Sequence, residues 1–265
     1  MLLILVGEAR SGKDTVGGFI TKNFNAATVA QADPMKRFAA KLCGFSEETL
    51  WGASSERDKL VRESRSVEDF WNQAQKNFDE AATLLLSEVL PDFNMAKTEK
   101  ALARLKSWFH DLHLWDDEIS ARILLQTVGT EWGRTVQPRM WNAWALRAAR
   151  SLMEGGVVYD RTRGLVSDRH SGYEHVVITD GRFRNEVLGT KLANGKATLV
   201  TNPSAFGKNV GVEGHRSEVE QKSIPQSWFD AQIVNDKDAG LDALERATRT
   251  LMQRLMPFTT NIVLR

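Results

Sequence analysis

MLLILVGEARSGKDT, residues 1–15, decides the fold. Leu2 to Val6 is an unbroken apolar run without alternation, too short for an amphipathic helix. Such a run suits a strand covered on both faces, as in a parallel sheet. It leads into Gly7-Glu-Ala-Arg10-Ser11-Gly12-Lys13, the G-x-x-x-x-G-K spacing of a phosphate-binding loop, or P-loop. The glycines let the backbone curl until successive N–H groups point inward. A helix starting near Lys13 adds its positive dipole end, and the Lys13 ammonium bridges the outer phosphates. One position departs from the usual pattern. Asp14 follows the lysine where a hydroxyl residue normally ligates Mg²⁺, and Thr15 comes one place later. The metal of such a site would be held through water or by another carboxylate. A glycine-rich turn with no ligand is the plainer reading, and strand, spacing and lysine together argue against it.

The 265 residues suffice for one large α/β domain, or one domain carrying a sizeable insertion. A formal net charge of +1 sets up no global field toward nucleic acid or an acidic membrane, so any basic site must be local. Cys43, the single cysteine, excludes an internal disulfide, fits a reducing compartment and reads as a small core residue. Leu2 to Val6 is too short for a signal-peptide core and lacks a basic leader and a cleavage site. No stretch approaches the length of a membrane span, so a cytoplasmic protein is expected. Six of the eight tryptophans fall between Trp51 and Trp141, which hints at a helical layer.

After the first helix, expected over Lys13 to Asn23, a short strand is predicted at Ala27 to Ala30. Asp33 can then cap a helix whose first position is Pro34 and whose end is Gly44. That places Asp33, Lys36 and Arg37 on a first helical turn beyond a strand's carboxyl end, where ligands collect in open α/β sheets. A charged, solvated turn is the alternative. Val67 to Leu90 and Met95 to Leu114 carry apolar residues at helical spacing, with Pro91 between them. They predict a helical hairpin inserted over residues 46–117. His110 and His113 stand three apart there, but with no third ligand they read as surface or packing residues. The next helix, Ile119 to Gly133, has an apolar side and a polar row of Gln126, Thr130 and Arg134 at i, i+4, i+8. That row suits a nucleobase and its phosphate, and equally suits solvent. A helix over Arg139 to Met153 follows, containing Trp141.

Residues 155–174 read as a loop or hairpin with Arg161 and Arg163 near its tip, and no role is legible there. His175 to Thr179 is a second buried strand, and it runs into Asp180-Gly-Arg182-Phe-Arg184-Asn-Glu186. A carboxylate ending an apolar strand, in a chain with a P-loop, can hold Mg²⁺ directly or through water. Arg182 and Arg184 beside it offer bidentate phosphate contacts that lysine cannot. A further strand, Ala197 to Thr201, precedes a polar, glycine-rich stretch of about residues 202–221 containing His215 and Arg216. A loop of that length is usually functional, and in a phosphotransferase it would be a lid. The last strand, Ala231 to Val234, ends at Asn235 before a helix over Gly240 to Met256.

Taken in order, GEARSGKDT, ADPMKRFAAKL, LLQTVGTEWGR followed by PRMW, VVITDGRFRNE, HRSEVE and QIVND resemble the deoxynucleoside monophosphate kinases of bacteriophages. These are P-loop relatives of adenylate kinase. The resemblance spans nearly the whole chain, with residues 46–117 and 155–174 matching it poorly. It implies an α/β three-layer P-loop sandwich with a central parallel sheet, of nucleoside monophosphate kinase type. The core would comprise residues 1–45 and 118–265, and the helical insertion 46–117 would cover the acceptor side. The implied reaction carries the γ-phosphoryl group of ATP, with Mg²⁺, to the 5′-phosphate of a deoxynucleoside monophosphate (dNMP), supplying DNA precursors in the cytoplasm, the host's if the protein is phage-encoded. Gly7, Arg10, Ser11, Gly12, Lys13, Asp14, Thr15 and Asn235 would then hold ATP, and Asp180 the metal. Asp33, Lys36, Arg37, Gln126, Thr130, Arg134 and Trp141 would surround the acceptor. Lys13, Arg134, Arg182 and Arg184 would carry the catalytic charge, with His215 and Arg216 in a lid. Within such kinases a non-hydroxyl residue after the lysine is common, so the resemblance absorbs Asp14. Rival readings are a P-loop kinase for another small phosphorylated acceptor, and a P-loop ATPase acting as a regulatory subunit. No membrane or direct nucleic-acid contact is expected, and the tryptophan-rich insertion offers a surface for a homodimer.

Overall fold

The computed structural model describes residues 1–91, 94–203, 220–221 and 223–256. Its contacts divide the chain into two compact units. The first comprises residues 1–30, 145–159 and 167 onward, and the second residues 31–144 and 160–166.

The first unit is built on the strand that opens the chain. Leu3, Ile4, Leu5 and Val6 of β1 (Leu2–Val6) have no exposed surface, as expected of a strand covered on both faces. It lies in a five-stranded sheet of order β2–β5–β1–β6–β7, with β2 at Ala26–Val29, β5 at His175–Gly181, β6 at Lys196–Thr201 and β7 at Ala231–Val234. All neighbouring strands run parallel. Helices flank the sheet, giving the α/β three-layer architecture: α1 (Lys13–Asn23) packs on β5 and on the C-terminal helix (Gly240–Leu255), while the helix Arg184–Leu192 packs on β6 and β1. Val16 and Ile20 of α1 meet Leu3, Val177, Leu251 and Met252 in one apolar cluster. Crossing helices and parallel strands are one solution to the same problem, since a parallel neighbour can be reached only by a crossover.

The second unit is helical. It contains α2 (Asp33–Cys43), α3 (Glu47–Trp51), α4 (Val67–Val89), α5 (Met95–Asp111) and α6 (Ala121–Thr127), and α6 continues into a π-helical segment, Val128–Arg134. Side-chain caps mark the helix starts, with Ser66 accepting from Asp69 N at 3.0 Å and Asn94 from Lys97 N at 3.0 Å. Two-stranded pairing joins β3 (Val157–Asp160) and β4 (Gly164–Ser167), the hairpin considered over 155–174. The helical unit is wider than an insertion over 46–117. Helix α2 packs along α4 and against α6, so residues 31–45 and 118–144 belong with the helices they bury. Cys43 lies fully buried in α2, and burial pushes its thiol well above the usual range. No described helix is long and apolar enough to cross a membrane.

Candidate active site

The phosphate loop has the shape its glycines require. A Cβ on Gly7 would lie 2.2 Å from the Val200 carbonyl oxygen, so only glycine lets β6 approach the loop. Arg10 (φ 64°) and Gly12 (φ 98°) both take left-handed backbone, which turns the chain into α1. Gly12 occupies the N-cap and contributes no side chain to the unpaired N–H groups of the first turn. Those groups suit an anion. Lys13 is buried, and its Nζ donates to the Gly7 and Glu8 carbonyls at 2.7 Å each and to Ser11 Oγ at 3.4 Å. The ammonium is therefore curled over the loop it belongs to. Asp14 is exposed on the same turn and Thr15 half-buried.

Amide side chains hold the loop from outside. Asn235, just beyond β7, donates from Nδ2 to Ser11 O at 3.0 Å, and its own N–H reaches Thr201 O at 2.7 Å. Asn202, just beyond β6, donates to Arg10 O at 3.3 Å. With its amide oriented to satisfy both neighbours, Gln221 accepts from Glu8 N at 2.9 Å and donates to Gly7 O at 3.3 Å. Sequence reasoning placed Asn235 at the donor nucleotide and missed Asn202 and Gln221. The available signal was an asparagine directly after each of two strands.

Asp180 stands at the end of β5. Register between β1 and β5 slips there, Ile4 facing Ile178 but Val6 facing Gly181, so the strand end bulges beside the start of the loop. Gly17 allows α1 to lie against this strand, since a Cβ would come 2.8 Å from Thr179 Cγ2. The turn beyond Asp180 is fixed by Glu186, a buried carboxylate accepting from Arg182 N at 2.8 Å and Phe183 N at 3.0 Å. Arg182 is half-buried. Arg184 is exposed, with its guanidinium over the Trp228 ring at 5.4 Å.

In the second unit α2 behaves differently from the expected capping pattern. Ala32 occupies the N-cap, and Asp33 lies inside the helix. The Asp33 carboxylate instead accepts from Trp51 Nε1 at 2.9 Å, with Lys36 Nζ 3.5 Å away. Arg37 is buried. Its Nη2 pairs with Glu88, its Nε lies 3.2 Å from the same carboxylate, and its Nη1 donates to Arg161 O at 2.6 Å. Trp51, Glu88 and Arg161 had no role in the sequence reading because they are distant in the chain from α2.

Gln126, Thr130 and Arg134 are half-buried. The row does not keep its helical line, because Val128–Arg134 is π-helical and bonds five residues apart rather than four. Trp141 is buried and shapes this segment. Its Nε1 donates to Gly129 O at 2.9 Å, and a Cβ on Gly133 would lie 2.4 Å from its ring. Glu131 is exposed overall, yet partial desolvation of its carboxyl raises it above its usual range. His113 stacks on Trp71 with centroids 3.8 Å apart, a packing arrangement. His215 and Arg216 lie outside the described residues.

Among the described residues no cluster of three or more His, Cys, Asp or Glu side chains could hold a metal by itself. Mg²⁺ bound together with a nucleotide keeps water and phosphate ligands and needs one or two carboxylates from the protein. Asp180, at a strand end beside the loop, and Asp14, exposed on the first turn of α1, fit that requirement.

A family model described as deoxynucleotide monophosphate kinase matches residues 1–238. No curated protein matches the chain.

Proposed function

The chain belongs to the deoxynucleotide monophosphate kinase family, and from that premise we propose that it carries the γ-phosphoryl group of ATP directly to the 5′-phosphate of a dNMP. The observation that supports a triphosphate donor is the loop itself. Its lysine ammonium is curled over the loop, donating to the Gly7 and Glu8 carbonyls and to Ser11 Oγ, and a polyphosphate would offer that charge a stronger, anionic partner.

The acceptor phosphate is already an anionic nucleophile at neutral pH, so no general base is required. Catalysis reduces to alignment, charge neutralisation and exclusion of water. In this reading the loop amides and Lys13 hold the donor's outer phosphates, and Ser11 and Thr15 supply hydroxyls beside them. Asn235 acts by bracing the loop. Asp180 and Asp14 would hold Mg²⁺, which would supply charge neutralisation across the donor phosphates. Arg182 is the half-buried cation for the transferred group, and Arg184 an outer one. On the acceptor side Asp33, Lys36 and Arg37 form one cluster, with Gln126, Thr130 and Arg134 along the π segment that Trp141 shapes. His215 and Arg216 complete the assignment as lid residues.

Direct transfer is read by supplying γ-labelled ATP and following the label. It should appear in the β-phosphate of the deoxynucleoside diphosphate, with inversion when the γ-phosphorus is chiral. Label released as inorganic phosphate, or retained configuration, would contradict a single in-line step. A cytoplasmic site of action and a homodimer through the tryptophan-rich helices complete the reading, the latter testable by light scattering at micromolar concentration.

A further inference from the structure

The α2 cluster holds three cations, Lys36, Arg37 and Arg161, and their surroundings differ sharply. Arg37 is 4% exposed, with its charge met by the Glu88 carboxylate and one N–H spent on the Arg161 carbonyl. Its guanidinium also lies over the Trp144 ring at 5.6 Å. Arg161 is 56% exposed, and its one ionic neighbour, Glu47, is 4.0 Å away. None of its guanidinium N–H groups has a hydrogen-bond acceptor among the described residues. Lys36 sits 3.5 Å from Asp33, a loose contact for an ion pair. Both of these cations share one aromatic plate, Lys36 Nζ at 5.6 Å and the Arg161 guanidinium at 5.9 Å from the Trp51 ring. The ring is itself pinned through Nε1 to Asp33.

From this contrast we infer that Arg161, in the β3–β4 turn, and Lys36 take the acceptor's 5′-phosphate beside the Trp51 ring, while Arg37 is a positioning residue that fixes the turn. The inference rests on the proposed kinase reading and assigns its acceptor site. A phosphate at Arg37 would have to displace Glu88, leaving that half-buried carboxylate without its cation. A phosphate at Arg161 displaces nothing of comparable strength. The planar fork of arginine matches two phosphate oxygens at once. Placement of the fork is built into the backbone. Asp160 Oδ1 accepts from Thr162 N at 2.8 Å and from Thr162 Oγ1 at 2.7 Å, closing the turn. The bond that ties the turn to α2 uses the main-chain oxygen of Arg161, so replacing its side chain leaves that tie in place.

The test compares wild-type protein, Arg161→Glu and Arg161→Lys by titration calorimetry with each standard dNMP and with the matching deoxynucleoside, which lacks the phosphate. Arg161→Glu should weaken monophosphate binding about tenfold or more and leave deoxynucleoside binding within about twofold. Arg161→Lys should recover part of the loss, since it keeps the charge and loses the fork. In steady state KM for the dNMP should rise while KM for ATP stays unchanged. Equal monophosphate affinity in wild type and Arg161→Glu would overturn the assignment, as would equal loss for monophosphate and nucleoside. Glu88→Gln separates the two arginines. It should raise KM for the dNMP by loosening the turn, whereas a lowered KM would return the phosphate to Arg37. Wild-type protein that binds and phosphorylates no dNMP would overturn the kinase reading, and this assignment with it. Turnover by wild type with an unaffected Arg161→Glu would overturn this assignment alone.

Discussion

Asn235 stands where a side chain at Gly12 would have to go. An ideal Cβ on Gly12 would lie 2.3 Å from Asn235 Nδ2, the same atom that donates to Ser11 O at 3.0 Å. The loop that opens the chain is thus closed from the far end of the sheet, by a residue more than two hundred positions away in sequence. Glycine there serves two needs at once, a left-handed φ of 98° and room for the brace. Gly12→Ala should therefore reduce kcat/KM for ATP about a hundredfold or more, through strain and displacement of Asn235 together. Asn235→Ala alone should be milder, about one hydrogen bond's worth, with KM for ATP raised and KM for the dNMP unmoved. Measuring both constants for each variant checks the difference.

Lys13→Met should abolish transfer and leave the folded structure intact. Its ammonium donates to two carbonyls and a hydroxyl of its own loop, so its loss removes phosphate attraction at the loop. Circular dichroism and turnover, measured on one preparation, separate the two effects. Retained activity would place the donor phosphates elsewhere.

Glu186 is expected to matter through geometry. Both N–H groups after Gly181 donate to its Oε2, so Glu186→Ala removes the acceptor of two main-chain hydrogen bonds near Asp180, a loss of about 1–3 kcal/mol for each that stays dry. Glu186→Gln keeps an accepting oxygen of the same reach and should be much milder. Thermal unfolding of the pair, with Mg²⁺ titrations of activity, reads the effect. Equal stability of the Ala and Gln variants would contradict the capping role.

Acid sensitivity should begin near neutrality because of His175. Burial, with the Met1 ammonium adding to it and Glu174 opposing, holds this imidazole below its ordinary value of 6.5. Its Nδ1 has no hydrogen-bond partner among the described residues. A depressed histidine binds protons more readily when unfolded. Its contribution is therefore complete above the unfolded pKa, about 6.5, and is lost as pH falls below it. Melting temperatures of wild type should drop as pH falls below about 6.5, and His175→Phe should flatten that part of the curve. An unchanged slope would mean that other groups govern it.

Legibility in the sequence followed locality. The buried strand, the loop spacing, helix α1 and the strand ahead of Asp180 are set by neighbours within a few residues, and each appears where the pattern puts it. The π turn after Thr127 was not legible, since Gln126, Thr130 and Arg134 have the spacing of an ordinary helix and the insertion of one residue per turn depends on packing around Trp141 and Gly133. Asp33 looked like a cap because Pro34 follows it, but a tryptophan eighteen residues on claims its carboxylate. The same limit hid Glu88 and Arg161, which meet Arg37 only after folding. Asn202 and Gln221 are of this kind too, amides whose purpose is the loop they touch.

The central claim is that this loop serves a phosphoryl donor whose acceptor is a dNMP. The most direct measurement is ADP release by the full chain with ATP and Mg²⁺, coupled to a spectrophotometric readout, for each of the four standard dNMPs and with none. The account predicts release only when at least one dNMP is present, with its loss in Lys13→Met. Equal ADP release with and without every dNMP would contradict it.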